Sequence, residues 1–219
     1  MNTLLTPPLS TLLPRLFDEA DASQDTLERD LGQLPPERRQ ALLRGDDWRT
    51  LYEHARDAHL AVSRETGRLL YLLARSCQAR AVVEFGTSFG VSTLHLAAAL
   101  RDNGGGRLIG SEFEPGKLAQ ARANVAAAGL DDLVEIRAGD ALETLARDLP
   151  ESIDLVLLDG AKVLYPRILS LLEPHLAPGA LIVADNADDS PAFLAHVRGP
   201  ASGYVSVPFA DDVEVSMKL

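Results

Sequence analysis

Residues 81–93 read A-V-V-E-F-G-T-S-F-G-V-S-T. Apolar, β-branched residues run into Glu84, glycines follow at Gly86 and Gly90, and Val91-Ser92-Thr93 opens an alanine- and leucine-rich stretch reaching Leu100. A buried strand, a tight glycine turn and a helix N-terminus in that order form the unit that makes a ligand crevice in open α/β sheets.

The same alternation continues on both sides. Ser63, Glu65 and Thr66 open a helix through Leu69–Ala74, and Asn103-Gly104-Gly105-Gly106 closes the helix that follows the first strand. Arg107–Ser111 is a second strand ending at Glu112. Pro115 starts a helix over Lys117–Ala128, and Gly129 stands where a left-handed cap is wanted. Strand Leu133–Arg137 leads to Gly139-Asp140 and a helix over Ala141–Arg147. Strand Ile153–Leu158 ends at Asp159 before a helix over Lys162–His175, and strand Ala180–Ala184 ends at Asp185-Asn186. Tyr204–Pro208 and Val213–Lys218, separated by Asp211-Asp212, suit a closing hairpin with an antiparallel edge. Near-continuous apolar strands separated by helices predict an α/β fold: a doubly wound, mostly parallel seven-stranded sheet with an antiparallel C-terminal hairpin strand.

The first quarter reads differently. Met1–Pro14 is expected to be a loosely held arm, and Arg15–Leu31 a helix. Pro35-Pro36 breaks the chain before a helix over Glu37–Leu43, and Asp46 or Asp47 could cap another through Trp48, Leu51, Tyr52 and Ala55. The expected division is a helical arm or cover over residues 1–60 and an α/β domain over 61–219.

Composition narrows the function. With 219 residues, 46% hydrophobic and 24% charged, the chain has the make-up of a soluble globular protein with a substantial core. A formal charge of -11 argues against capture of nucleic acid or anionic membrane, and for a small-molecule enzyme. Cys77 is the single cysteine, which rules out an intrachain disulfide and a thiolate metal cluster, and its place after an apolar helical run predicts a buried structural thiol. No apolar run approaches the ~20 residues of a membrane span. The first residues lack a basic region and are interrupted by Pro7-Pro8, so the expected location is cytoplasmic.

Carboxylates stand at the ends of the strands: Glu84, Glu112, Asp140, Asp159 and Asp185 with Asn186. Ligands bind beyond those ends, and so many acids on one rim repel one another unless a cation sits among them. Asp140 precedes a helix and can equally be its cap. Glu112 suits the two hydroxyls of a ribose, which would allow NAD. The turn G-T-S-F-G lacks the middle glycine of a G-x-G-x-x-G fingerprint, and the charge of Glu84 disfavours a pyrophosphate, so a phosphate-free nucleoside with a charged amino-acid tail fits better. Asp159, Asp185 and Asn186 offer hard oxygen donors for Mg²⁺, Mn²⁺ or Ca²⁺. His54, His59, His95, His175 and His196 are scattered and read as surface or packing residues.

With these residues in view, the sequence resembles the class I S-adenosylmethionine-dependent O-methyltransferases of the divalent-cation-dependent catechol and caffeoyl-CoA type. The matching pieces are V-x-x-E-T-G at Val62–Gly67, V-V-E-F-G-T-S-F-G-V-S-T at Val82–Thr93, I-G-S-E-F-E-P at Ile109–Pro115, G-D-A-L at Gly139–Leu142, L-L-D-G-A-K at Leu157–Lys162, A-D-N at Ala184–Asn186 and F-L-A-H-V-R-G at Phe193–Gly199. The resemblance implies that Val62, Glu84, Gly86, Ser88 and Ser92 line the methionine end of S-adenosylmethionine, that Glu112 holds the ribose, and that Gly139 and Asp140 flank the adenine. It implies Mg²⁺ on Asp159, Asp185 and Asn186, with Asp159 also beside the cofactor, and Lys162 as general base on the accepting hydroxyl. The implied partner is a small hydroxylated aromatic molecule, and the implied assembly a homodimer. Where the catechol enzymes carry a His-Trp pair after the first metal aspartate, this chain has Gly160-Ala161, so the aromatic wall is missing there. Two further readings are an NAD-dependent oxidoreductase and a non-catalytic module that binds S-adenosylmethionine.

Overall fold

Strands β1 (Ala81–Phe85), β2 (Arg107–Glu112), β3 (Val134–Ala138), β4 (Ile153–Leu158) and β5 (Leu176–Ala184) are parallel, as their continuous apolar character requires. With β6 (Tyr204–Phe209) and β7 (Val213–Lys218) they make a seven-stranded sheet in the order β3-β2-β1-β4-β5-β7-β6. The structure, a computed structural model, describes residues 2–33, 35, 37, 48–210 and 212–219. The helix expected over Glu37–Leu43 lies, beyond Glu37, outside the described residues, as do the caps Asp46 and Asp47 and the turn residue Asp211.

The order reverses between β1 and β4, and there the crevice opens. Helix α4 (Val91–Asp102) follows β1, and every residue from Val91 to Leu100 is buried. Its run of alanines lets it lie close between the sheet and α3 (Arg64–Ser76), whose first turn is capped by Ser63 accepting the Thr66 N–H at 3.0 Å. Helices α5 (Pro115–Ala127), α6 (Ala141–Thr144), α7 (Tyr165–Leu172) and α8 (Pro191–Val197) complete the two layers. Among the described residues no helix is long and apolar enough to cross a membrane.

The expected antiparallel C-terminal hairpin is present, with β7 inserted between β5 and β6 and β6 on the edge. Burial explains the order: β7 hides Val213, Glu214 and Ser216, whereas β6 leaves Val205 and Val207 exposed. Other expectations are corrected. β5 begins at Leu176 rather than Ala180, and the pairing with β4 shifts between Ile153 and Leu155 to accommodate Pro178-Gly179. Helix α6 is a single turn, and Lys162–Leu164 is a 3₁₀ turn with α7 restarting at Tyr165 beside Pro166, which has no N–H to donate. Helix α8 had no counterpart in the sequence reading. Cys77 caps α3 in solvent and is exposed.

The start of the chain is not a loose arm. Helix α1 (Leu9–Gly32) buries Leu9, Leu12, Leu13, Leu16 and Phe17 in the same apolar core as Leu70, Leu94 and Val82. Those leucines have helical spacing, a signal obscured by Pro7, Pro8 and Pro14. Thr3 donates its N–H (2.9 Å) and hydroxyl (2.6 Å) to Asp102 at the far end of α4, where Tyr71 donates as well at 2.7 Å.

Two features of the β1 turn set the site. Gly86 has φ +95°, and a Cβ there would stand 2.5 Å from the Asp159 carbonyl oxygen. Glu84 is fully buried, accepting hydrogen bonds from Thr87 (3.0 Å), Ser92 (2.7 Å) and Thr93 (2.6 Å). Burial pushes its carboxyl up to about 7 against those three donors.

Gly86→Ala combines left-handed strain with a backbone clash and is expected to cost about 3 kcal/mol, against about 1 kcal/mol for Gly129→Ala, whose positive φ meets open space; urea denaturation of both variants checks the ranking. Because the folded carboxyl of Glu84 holds its proton above the unfolded value, its contribution is present at pH 4 and is lost as pH rises through about 7. The melting temperature of the wild type relative to Glu84→Gln is therefore expected to fall between pH 5 and pH 8. A rise over that interval would show that Glu84 is ionised at pH 5.

Candidate active site

A cavity of about 740 Å³ opens at the carboxyl ends of β1, β2, β4 and β5, facing α2 (Trp48–His54) across its mouth. Val62, Gly86, Ser88, Glu112, Gly139, Asp159, Lys162, Asp185 and Asn186 all line it. Glu84, Ser92 and Asp140 do not. Glu84 lies behind the turn, and the Ser92 hydroxyl is spent on it. Asp140 accepts the Leu142 N–H at 2.9 Å as the cap of α6 and pairs with Arg49 at 2.6 Å.

Glu112 is held by backbone. Its Oε2 accepts the Ser88 N–H at 2.7 Å and its Oε1 accepts the Glu114 N–H at 2.9 Å. Burial raises its carboxyl, with those amides and Lys117 opposing. Each oxygen keeps a lone pair for a hydroxyl from the cavity.

The β4 and β5 ends carry the concentrated charge. Lys162 Nζ stands 3.1 Å from Asp159 Oδ1. Burial works against the ammonium, but the Asp159 carboxylate outweighs it and holds the amine well above the usual lysine range. Burial also raises Asp159, and Asp185 is pushed up to about 7 by burial and by Asp159 beside it. Asn186 has φ +47° and donates its amide to Asp212 at 3.0 Å, which leaves its carbonyl oxygen as an acceptor. Asp, Glu, His and Cys form no metal-holding group of three or more among the described residues. At the β4 and β5 ends the cavity offers the crowded carboxylates of Asp159 and Asp185 and the Asn186 amide oxygen, with Asp212 beside them. This is a hard, electron-rich set that a divalent cation of the magnesium type fits.

The structure adds residues the sequence did not single out for the site. His59, expected as surface or packing, lines the cavity and stacks on Phe89 with ring centroids 3.6 Å apart. Its Nδ1 and the Ser88 hydroxyl are buried without a hydrogen-bond partner among the described residues. Lys117 is buried one turn into α5, with Nζ 5.7 Å above the Phe89 ring. A lysine in the first turn opposes the helix dipole, and that sequence signal could have marked it. Trp48 and Tyr52 close the opposite side. Burial raises the Tyr52 phenol, with Lys162 opposing. Unpaired polar atoms beside the turn and a fixed carboxylate at the β2 end fit a nucleoside carrying a polar tail.

Comparison with known proteins agrees with this geometry. Residues 83–187 match the model of a methyltransferase domain. The chain is 39% identical over 130 residues to a catechol O-methyltransferase of Niastella koreensis, covering 58% of each chain. It is 37% identical over 136 residues to a catechol O-methyltransferase of Mycobacterium tuberculosis, covering 62% of this chain and 61% of that one. The matches thus span about three fifths of the length of these curated relatives. Among solved structures, the O-methyltransferase TomG of Streptomyces achromogenes in complex with S-adenosylmethionine superposes with a TM-score of 0.64 at 28% identity, covering 82% of this chain and 93% of that one. Sheet order, crevice and sequence agree: the chain carries a methyltransferase-domain match over residues 83–187 and is similar to O-methyltransferases.

Proposed function

We propose that the protein transfers the methyl group of S-adenosylmethionine to a hydroxyl of a small aromatic acceptor bearing neighbouring oxygens, with a divalent cation assisting. The observation that carries the reading is that Glu112 and the Asp159–Lys162–Asp185 cluster line one cavity on either side of the Gly86 turn.

In this reading Glu112 accepts both ribose hydroxyls, and Gly139 gives the adenine an unobstructed approach. Val62, Gly86 and Ser88 surround the methionine end, where the unpaired His59 Nδ1 offers a further polar contact. Glu84 and Ser92 brace the turn from behind, and Asp140 holds α6 and Arg49 in place. Asp159, Asp185 and Asn186 would hold Mg²⁺, Mn²⁺ or Ca²⁺. When bound, such an ion lowers the proton affinity of the acceptor oxygen. Lys162 is the amine placed to take the hydroxyl proton, and it can do so once Asp159, which keeps it protonated, is engaged elsewhere. Methyl transfer requires oxygen, methyl carbon and sulfur in line, and the cavity walls would serve to hold donor and acceptor so.

Glu112→Ala is expected to weaken S-adenosylhomocysteine binding by about 10- to 100-fold, measured by calorimetry. An unchanged affinity would remove the ribose from this corner. Asp185→Ala is expected to abolish methyl transfer to catechol while changing S-adenosylhomocysteine affinity by no more than about threefold. Full turnover by the wild type in excess EDTA would remove the cation from the reading.

A further inference from the structure

The β4 side of the cavity cannot offer a flat surface to an acceptor. A Cβ at Gly160 would stand 2.4–2.6 Å from ring carbons of Phe85, so no side chain fits there, and Ala161 contributes only a methyl group. The aromatic surface comes from across the cavity. On α2, Trp48 and Tyr52 pack edge-on with centroids 6.3 Å apart, and both meet the Phe113 ring, at 5.4 Å and 6.2 Å. The helix is tied at its start, where Arg49 reaches Asp140 at 2.6 Å, and Ala55, just past its last turn, is buried. Tyr52 is thereby held over the charged floor, within the fields of Lys162, Asp159 and Glu112, and no described residue accepts or donates a hydrogen bond at its hydroxyl.

We propose that Tyr52 contacts the methyl acceptor, its ring forming with Trp48 the wall against which an aromatic acceptor lies and its hydroxyl donating a hydrogen bond to an acceptor oxygen. The inference rests on the methyl-transfer reading above and gives it a specificity-determining residue from outside the sheet. The position follows from the charges that surround the phenol. Glu112 marks the donor side and Lys162 the proton-accepting side, and an oxygen receiving a methyl group must stand between them. A ring sliding into that gap meets the Tyr52 and Trp48 edges on one side and the carboxylate floor on the other. Aromatic edges favour a flat, electron-rich face over an aliphatic ring of the same size.

Trp48 is the only tryptophan of the chain, so its emission reports on this wall directly. With S-adenosylhomocysteine and Mg²⁺ present, the full chain is titrated with catechol, with the bulkier 2,3-dihydroxynaphthalene and with cyclohexane-1,2-diol. Calorimetry follows S-adenosylhomocysteine alone in parallel. At least one aromatic diol is expected to quench Trp48 saturably and to bind at least about tenfold more tightly than the alicyclic diol. Tyr52→Ala is expected to weaken the aromatic diol about tenfold and to change S-adenosylhomocysteine affinity by less than about twofold. Tyr52→Phe, which keeps the ring and serves should the alanine variant unfold, is expected to retain KM within about threefold and to lower kcat. Cofactor binding with no aromatic diol perturbing Trp48, or a Tyr52→Phe variant with unchanged kcat and KM, overturns the proposal. A Tyr52→Ala variant that loses cofactor and acceptor affinity equally overturns it too. A wild type that fails to bind S-adenosylhomocysteine sinks the methyl-transfer reading itself, and this inference falls with it.

Discussion

The backbone contact between Gly86 and Asp159 governs the geometry of the whole rim. The β1 turn and the β4 end approach so closely that even a methyl group would collide with the Asp159 carbonyl, and the Asp159 N–H donates to the Phe85 carbonyl at 2.8 Å. On the other flank the Gly86 and Thr87 amides both donate to the Ser111 carbonyl, at 3.3 Å each. Three strand ends are thus tied through main-chain atoms with no side chain between them. The nucleoside-side acid on β2 and the charged cluster on β4 are therefore fixed relative to each other by peptide geometry, which tolerates far less movement than rotamers do.

Buried carboxylates are neutralised here in three different ways. Glu84 receives three hydroxyl donors and still keeps its proton up to about pH 7, so it acts as a structural knot. Glu112 is satisfied by two backbone amides and remains open to the cavity. Asp159 leans on the Lys162 ammonium, while Asp185, hydrogen-bonded to the Asp159 carboxyl, is raised to about 7 by burial and by that neighbour. The unresolved charge is concentrated at the last of these places, and the donor set there suits a small, hard cation.

Much of this was legible in the sequence, and the exceptions have physical causes. Parallel strands covered on both faces write themselves as apolar runs, and the residue after each run falls on the rim, which is why Glu112, Asp159 and Asp185 could be named in advance. Glu84 has the same sequence signature but sits inside its strand, one residue before its end, and its side chain turns under the α4 N-terminus. Spacing alone cannot separate these two directions. The insertion of β7 between β5 and β6 is a pairing between distant segments and leaves no local mark. His59, Tyr52 and Lys117 reach the cavity from helices and loops outside the strand ends, so only tertiary packing brings them together. The N-terminal leucines carried a helical pattern that the prolines outweighed, although Pro14 is accommodated within α1.

The tie from Thr3 to Asp102 places the beginning of the described chain at the C-terminal end of α4. That end lies beneath the sheet, on the side away from the cavity, because α4 runs antiparallel to the strand it follows. Anything grafted before Thr3, such as a purification handle or a surface linker, would emerge from the floor of the molecule. It would leave the mouth between α2 and the rim clear.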